Sequence, residues 1–114
     1  MGCGGDRDRG KRAQMGRAAA KGSDRVWFTS DNPRSEDPER ILADMAHGLE
    51  LPNSQRVRSE VNRAEAIAVA LQSADPDDIL LIAGKGHEQT QEINGEFIPF
   101  SDFTVVHDIQ SENN

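Results

Sequence analysis

The order of the apolar segments constrains the fold of this 114-residue chain more than any other feature. Apolar runs at residues 25–30 and 78–83 predict strands, the second of them central, and a weaker strand is predicted near 56–60. Segments with helical periodicity separate these runs. Strands that alternate with helices predict a Rossmann-like α/β fold, with a doubly wound and mostly parallel sheet.

Local signals predict four helices and one hairpin. Gly22 closes the first helix, Pro38 suits the first turn of the second, and Asn62 with Glu65 resembles a capping box for the third. Ser101 is suited to cap the last helix. The predicted helices cover residues 13–21, 38–49, a segment from 62 onward, and 102 to about 109. Asn94-Gly95 predicts a C-terminal antiparallel hairpin between residues 89–93 and 96–98.

Composition limits the functions open to the chain. The length suits one domain, and the single Cys permits no internal disulfide, which indicates a reducing compartment. The sequence shows neither a signal-peptide pattern nor an apolar run of membrane-spanning length, so a cytoplasmic location and no membrane partner are expected. The net charge of −7 argues against nucleic-acid binding, although residues 1–25 carry seven Lys and Arg against three Asp.

The tetrapeptide Asp31-Asn32-Pro33-Arg34 directly follows the first apolar run. Pro33 has no N–H and restricts the residue before it, so the strand ends here and Arg34 is presented from a stiff turn. A guanidinium in this position can bind a carboxylate through two parallel N–H bonds. The alternative is a helix-entry turn in which Asp31 and Arg34 merely pair on the surface.

The pentapeptide Gly84-Lys85-Gly86-His87-Glu88 follows the second apolar run. Its two glycines allow a tight turn that brings a backbone carbonyl close to a ligand. Together, a carbonyl and the Glu88 carboxylate form a suitable site for an ammonium group. A structural or electrostatic role is favoured for Lys85 and His87 over a catalytic one.

The glycine-rich and basic segment at residues 2–12 satisfies the first seven positions of a P-loop between Gly5 and Lys11. It fails at the eighth, because Arg12 stands where a Ser or Thr hydroxyl would hold magnesium. A solvated basic arm is the simpler alternative. Cys3 has no partner Cys and the three His lack ligand spacing, so no metal site is predicted.

The three segments, in this order, resemble the C-terminal domain of the Mur ligases, and within that family the diaminopimelate-adding type. The resemblance extends from Gly2 to the segment 100–102. It implies no catalytic residue in this domain. It implies a substrate-binding set consisting of Arg7, Asp31, Asn32, Pro33, Arg34, Gly84 and Glu88, with Lys11 and Arg12 near nucleotide phosphate. Ala13 and Phe103 depart from the family pattern, which more often has Pro and a basic residue there.

The resemblance also implies the chemistry of the complete ligase. ATP with Mg phosphorylates the glutamyl carboxylate of UDP-MurNAc-L-Ala-D-Glu, and the amine of meso-diaminopimelate attacks the acyl phosphate, in peptidoglycan biosynthesis. The family's N-terminal and central ATPase domains, and the first strand of this domain, are expected to lie outside residues 1–114. The isolated chain is therefore expected to be marginally stable, and neither to hydrolyse ATP nor to form an amide.

The sequence is also compatible with two other hypotheses about function. The chain could be a free-standing small-molecule-binding module derived from a Mur ligase, or a Rossmann-like domain for protein interaction. A P-loop in frame upstream would separate a ligase from a free-standing module. Ligand binding would separate both from a protein-interaction domain.

Overall fold

The computed structural model describes residues 1–49 and 56–112. In these ranges the elements are, in chain order, α1 (Gly10–Lys21), β1 (Val26–Thr29), α2 (Pro38–Ala46), β2 (Val57–Glu60), α3 (Arg63–Ser73), β3 (Thr90–Ile93), β4 (Glu96–Pro99) and α4 (Asp102–Glu112). This alternation confirms the predicted α/β class and the C-terminal hairpin. No helix within the two described ranges is both long and apolar enough to cross a membrane.

The parallel pair β1 and β2 organises the domain. Their register aligns Val26 with Val57 at one end and Thr29 with Glu60 at the other. The opposite edge of β1 is bonded to Met1, whose amino group donates to the carbonyl of Trp27 at 2.8 Å and whose carbonyl accepts from the N–H of Thr29 at 2.9 Å. Both edges of β1 are therefore bonded.

Two separate groups of buried residues lie against this parallel pair. The main apolar core joins α1, α2 and β1, and its members are Cys3, Ala20, Val26, Phe28, Ile41, Leu42 and Met45. Helix α3 contributes a second group, Ala66, Ile67 and Ala70, and packs against both β1 and β2. This division places helices on both faces of the sheet, as a doubly wound fold requires.

Several local predictions are confirmed. The side chain of Asn62 accepts from the N–H of Glu65 at 3.0 Å, and Pro38 is the first residue of α2. Residues 94 and 95 form the hairpin turn with positive φ values of 50° and 80°. The boundaries of three helices differ from the prediction: α1 begins at Gly10, α2 ends at Ala46 and α4 extends to Glu112.

The predicted central strand at residues 78–83 is wrong. The segment belongs to no helix or strand, and Ile79 is 97% and Leu81 81% exposed. The apolar run satisfies the composition of a strand, but a strand also needs a neighbour with free peptide groups. Both edges of β1 are already bonded, to β2 and to Met1, and among the described residues the segment does not pair with the other edge of β2 either. An open cavity of about 1210 Å³ separates this segment from Met1 and α1.

This correction leads to a stability prediction for the chain. Leu81→Ala is expected to change the free energy of unfolding by about 0.5 kcal/mol or less, because its side chain is already in solvent. The matched change Leu42→Ala removes a side chain only 4% exposed and is expected to cost about 2–5 kcal/mol. Urea denaturation of both variants measures the difference. Equal losses would mean that the segment is buried as a strand in solution.

Candidate functional site

The glycine-rich N-terminal segment lies directly against the Asp31–Arg34 turn. The N–H of Gly5 donates to the carbonyl of Asn32 at 2.7 Å. A side chain at Gly5 would collide with the backbone of Pro33, so only glycine permits this approach. The glycine-rich segment and the Asp31–Arg34 motif are thus brought into contact.

Arg34 is held by both its backbone and its side chain. Its φ of 52° is unusual for a residue other than glycine, and its backbone exchanges hydrogen bonds with Glu92 and Asn94 of the hairpin. In the side chain, Nη1 donates to the carbonyl of Gly5 at 2.9 Å, and Nε lies 3.4 Å from Glu92 Oε2. Nη2 has no hydrogen-bond partner among the described residues. The guanidinium is therefore fixed, and within the described ranges Nη2 is left for a ligand.

Arg7 borders the same position. A methyl group at Gly4 would lie 2.8 Å from Nη1 of Arg34 and 3.5 Å from Cγ of Arg7. Arg7 is exposed, and its Nη1 donates to the carbonyl of Asp6 at 3.4 Å. The guanidinium of Arg34 and the aliphatic stem of Arg7 thus border the same glycine.

The Gly84–Glu88 loop meets the Asp31–Arg34 turn from the other side. Gly84 and Gly86 have positive φ values of 116° and 56°, which glycine adopts without strain. Gly84 also lies near Asp31, whose Oδ2 would be 3.9 Å from a methyl group at position 84. Between the glycines, Lys85 turns inward and its ammonium lies 3.3 Å from Asp31 Oδ1.

Glu88 is joined directly to this turn. Its Oε2 accepts from Nδ2 of Asn32 at 3.1 Å and from Nζ of Lys85 at 3.2 Å. Burial acts to raise the pKa of the Glu88 carboxyl, but the hydrogen bonds from Asn32 and Lys85 hold it below its ordinary value. Glu88 is therefore ionised at neutral pH, and its side chain is 46% exposed. A carboxylate in this state can bind an ammonium group.

Strand β3 completes the site through contacts that were not predicted from the sequence. Nε2 of Gln91 donates to the carbonyl of Asp31 at 2.8 Å. Glu92 pairs with Arg34, and its N–H donates to Oδ1 of Asn32 at 3.0 Å. The position of this strand immediately after the Gly84–Glu88 loop is the signal that could have revealed these contacts.

Arg12 does not occupy the place expected of a phosphate-binding residue. It is 1% exposed, and its guanidinium donates to Glu36 at 2.6 Å and to Asp44 at 2.9 Å. Reaching a phosphate would break both ion pairs, so the expected phosphate contact does not fit this placement. Lys11, its neighbour on α1, is exposed.

The Arg12–Glu36 pair predicts how stability depends on pH. Hydrogen bonds from Arg12, and next from the backbone of Asp6, lower the pKa of Glu36 from 4.5 to about 2. Because the folded pKa is the lower one, the stabilisation is complete above pH 4.5 and is lost as the pH falls towards 2. Glu36→Gln is expected to flatten this acid dependence in denaturation curves. The exposed control Glu96→Gln should retain the wild-type slope.

His87 and Cys3 both pack against other parts of the protein. The ring of His87 stacks on Phe103, with centroids 5.9 Å apart and planes at 5°. Cys3 is buried, and burial raises the pKa of its thiol. Within the described part of the chain, no three His, Cys, Asp or Glu residues are grouped closely enough to hold a metal ion.

Comparison with known proteins identifies the family. The family described as "Mur ligase, glutamate ligase domain" matches residues 1–86. UDP-N-acetylmuramoyl-L-alanyl-D-glutamate--2,6-diaminopimelate ligases are similar to the chain, with 48% identity over 114 residues in Chlorobium phaeobacteroides and 54% over 102 residues in Prochlorococcus marinus. These matches cover 100% and 90% of this chain, but only 22% and 20% of those proteins.

A solved structure of a ligase with the same name superposes with a TM-score of 0.92 at 48% identity. It covers 100% of this chain and 23% of the other, and its likeness confirms the Rossmann-like class. The chain spans about a fifth of the length of the curated relatives it matches. Because the family model matches about three quarters of its residues, the chain belongs to the Mur ligase family, as the C-terminal, glutamate ligase domain.

Proposed function

We propose that residues 1–114 are the amino-acid-binding domain of an ATP-dependent, cytoplasmic ligase that adds meso-diaminopimelate to UDP-MurNAc-L-Ala-D-Glu. The N-terminal and central domains of that ligase would lie outside this chain. They would supply most of the contacts to ATP, Mg and the UDP-MurNAc dipeptide. Lys11 remains the proposed contact to nucleotide phosphate from this domain.

The observation that carries this proposal is the placement of a braced guanidinium beside an ionised carboxylate. Asn32 and Glu92 link the two groups. Nδ2 of Asn32 donates to Glu88 Oε2 at 3.1 Å, and Glu92 both donates its N–H to Oδ1 of Asn32 and pairs with Arg34. A free amino-acid end carries an ammonium and a carboxylate on one carbon. Glu88 is suited to the ammonium and Arg34 to the carboxylate. The choice of diaminopimelate over other amino acids rests on the relatives, which are 2,6-diaminopimelate ligases.

In this proposal the domain contributes position rather than acid–base chemistry. By holding one end of diaminopimelate, it would present the amine at the other end to an acyl phosphate formed on the central domain. Holding two reactants in the right geometry can replace a large part of the entropic barrier to reaction. Closure of the domain over the reacting groups would also keep water from hydrolysing the acyl phosphate.

Binding by the isolated chain tests the proposal. In two-dimensional NMR, meso-diaminopimelate is expected to shift the amide resonances of Arg34, Gly84 and Glu88. Pimelate, which lacks both amines, and 1,5-diaminopentane, which lacks both carboxylates, should each bind more weakly. Equal responses to all three compounds would contradict amino-acid recognition, and no response at millimolar concentration would favour a protein-interaction domain.

A chimera tests the same proposal in a complete enzyme. This chain replaces the matching segment of the Chlorobium phaeobacteroides ligase, to which it is 48% identical over 114 residues. The chimera is expected to form the amide with diaminopimelate and to use lysine poorly. A chimera that folds and hydrolyses ATP but ignores diaminopimelate would argue against this substrate.

A further inference from the structure

Lys85 is a buried cation enclosed by four oxygen atoms. Its side chain is 0% exposed, although it belongs to a loop of which the other four residues are exposed. The four contacts of Nζ are to Thr90 O at 2.9 Å, Asn32 Oδ1 at 3.0 Å, Glu88 Oε2 at 3.2 Å and Asp31 Oδ1 at 3.3 Å. An ammonium has three N–H groups, so these acceptors use all of them. Lys85 therefore has no donor left for a ligand.

These contacts fix the direction of two neighbouring side chains. Oδ1 of Asn32 accepts from Lys85 and from the N–H of Glu92, so its amide nitrogen is turned towards Glu88. Oε2 of Glu88 then accepts from both Lys85 and Asn32. In the described part of the chain, Oε1 of Glu88 has no hydrogen-bond partner. One oxygen of this carboxylate is thus committed to the protein, and the other is left for a ligand.

Lys85 also balances the charge of the site. Asp31 and Glu88 both contact its ammonium, so the three groups together carry a net charge of −1. Arg34 and Glu92 form a neighbouring neutral pair. Without Lys85, two carboxylates would share the site, and each would oppose ionisation of the other. A net charge of −1 matches one ligand ammonium.

We propose that Lys85 is a positioning residue that orients Glu88 for a single ligand ammonium and sets the charge of the site to match it. The choice of an amino acid as ligand rests on the proposed function, whereas the hold of Lys85 on Glu88 does not. The proposal assigns Lys85 no contact with the ligand. It predicts that Lys85 acts through Glu88 and Asn32.

Titration of Glu88 in the 114-residue chain tests the proposal directly. The carboxyl carbon of Glu88 is followed by ¹³C NMR in wild type, Lys85→Met, Lys85→Gln and the double variant Asp31→Asn/Lys85→Met. The pKa of Glu88 is expected to rise by one unit or more in Lys85→Met, because the nearest cation is lost while the carboxylate of Asp31 remains. Lys85→Gln should behave similarly, because it replaces a donor without replacing the charge. The double variant should recover much of the shift, because it restores the net charge of −1.

Affinity provides the second readout. Meso-diaminopimelate is expected to bind at least ten-fold more weakly to Lys85→Met and to recover partly in the double variant. The proposal is overturned if two quantities both stay within two-fold of wild type in a folded Lys85 variant. These are the acid dissociation constant of Glu88 and the affinity for meso-diaminopimelate. If wild type itself does not bind diaminopimelate, the proposed function fails, but the titration still decides whether Lys85 controls Glu88.

A measurement on the wild-type chain covers the case in which the variants do not fold. The ¹⁵Nζ resonance of Lys85 is expected to change with the same midpoint as the Glu88 carboxyl carbon, because protonation of Glu88 removes one acceptor. Its ammonium protons should exchange slowly with water above that midpoint and faster below it. If the ¹⁵Nζ chemical shift of Lys85 does not change over the pH range in which Glu88 titrates, the proposal is overturned.

Discussion

Arg34→Ala in the chimeric ligase is expected to raise the KM for meso-diaminopimelate steeply and to leave the KM for lysine nearly unchanged. The distal carboxylate is the group that distinguishes the two amino acids, and Arg34 is the proposed partner of that group. Loss of a bidentate, charge-assisted pair leaves a desolvated carboxylate, at a cost of about 2–4 kcal/mol. This corresponds to a change in KM on the order of 30-fold or more. Steady-state kinetics with both amino acids measures it.

Two further variants at this position separate recognition from backbone strain. Arg34→Gly also removes the guanidinium but relieves the strain of a φ of 52°, so it should unfold at a higher temperature than Arg34→Ala while showing the same loss for diaminopimelate. Arg34→Lys should restore binding only in part, because a point charge cannot reproduce the planar fork. If Arg34→Ala impairs lysine and diaminopimelate equally, Arg34 is a scaffold residue and the assignment is wrong.

Glu88→Gln provides the complementary change at the amine end. It removes the charge that faces the ligand ammonium while leaving Arg34 in place. Lysine has the distal amine but no distal carboxylate, so this variant is expected to weaken lysine and diaminopimelate by similar factors. Kinetics that show loss for diaminopimelate alone would place Glu88 at the carboxylate and contradict the proposed orientation.

Arg63→Met is expected to destabilise the chain by about 3–5 kcal/mol, since it leaves the carboxylate of Asp102 buried without its partner. Nε and Nη2 of Arg63 donate to the two carboxylate oxygens of Asp102 at 2.8 and 2.9 Å. Nη1 donates to the carbonyl of Ser30, and Nη2 also donates to that of Ala83. These carbonyls directly precede the two motifs proposed to bind the ligand, so one guanidinium holds both turns in place.

The expected loss is large compared with the total stability of a small domain, which is about 5–15 kcal/mol. Urea denaturation measures it, and the double variant Arg63→Met/Asp102→Leu should recover much of the stability because no unpaired charge remains. The exposed pair Arg25–Asp78 provides a control, and Arg25→Met should cost about 1 kcal/mol or less. A loss of similar size in both single variants would mean that the Arg63 pair contributes no more than a surface pair.

The features that the sequence determined on its own are local ones. Asn62 caps α3, Pro38 begins α2, and Asn94-Gly95 turns the hairpin, because each depends on atoms a few residues apart. The sequence also predicted that the Asp31–Arg34 and Gly84–Glu88 motifs would be adjacent, but the reason differs from the predicted one. Residues 78–83 form no strand, and Arg63 instead holds the carbonyls of Ser30 and Ala83 that precede the two motifs. The family resemblance was carried by the same motifs.

The features that only the tertiary structure decided depend on partners distant in the chain. Arg12 looked suited to a phosphate, but α2 and the turn preceding it place Asp44 and Glu36 against its guanidinium. Lys85 looked like one more loop cation, but its burial depends on acceptors 53 and 54 residues away.

The segment at residues 78–83 has the composition of a strand, yet β1 is already bonded to β2 and Met1. Composition reports how well a segment suits burial and pairing, whereas pairing itself requires a neighbour with unbonded peptide groups. The sequence therefore identified the motifs that are proposed to bind the ligand, and the tertiary structure decided which charged side chains near them are already paired. The physical reason is that an ion pair or a strand pairing is set by distance in space, which residues far apart in the chain reach only after folding.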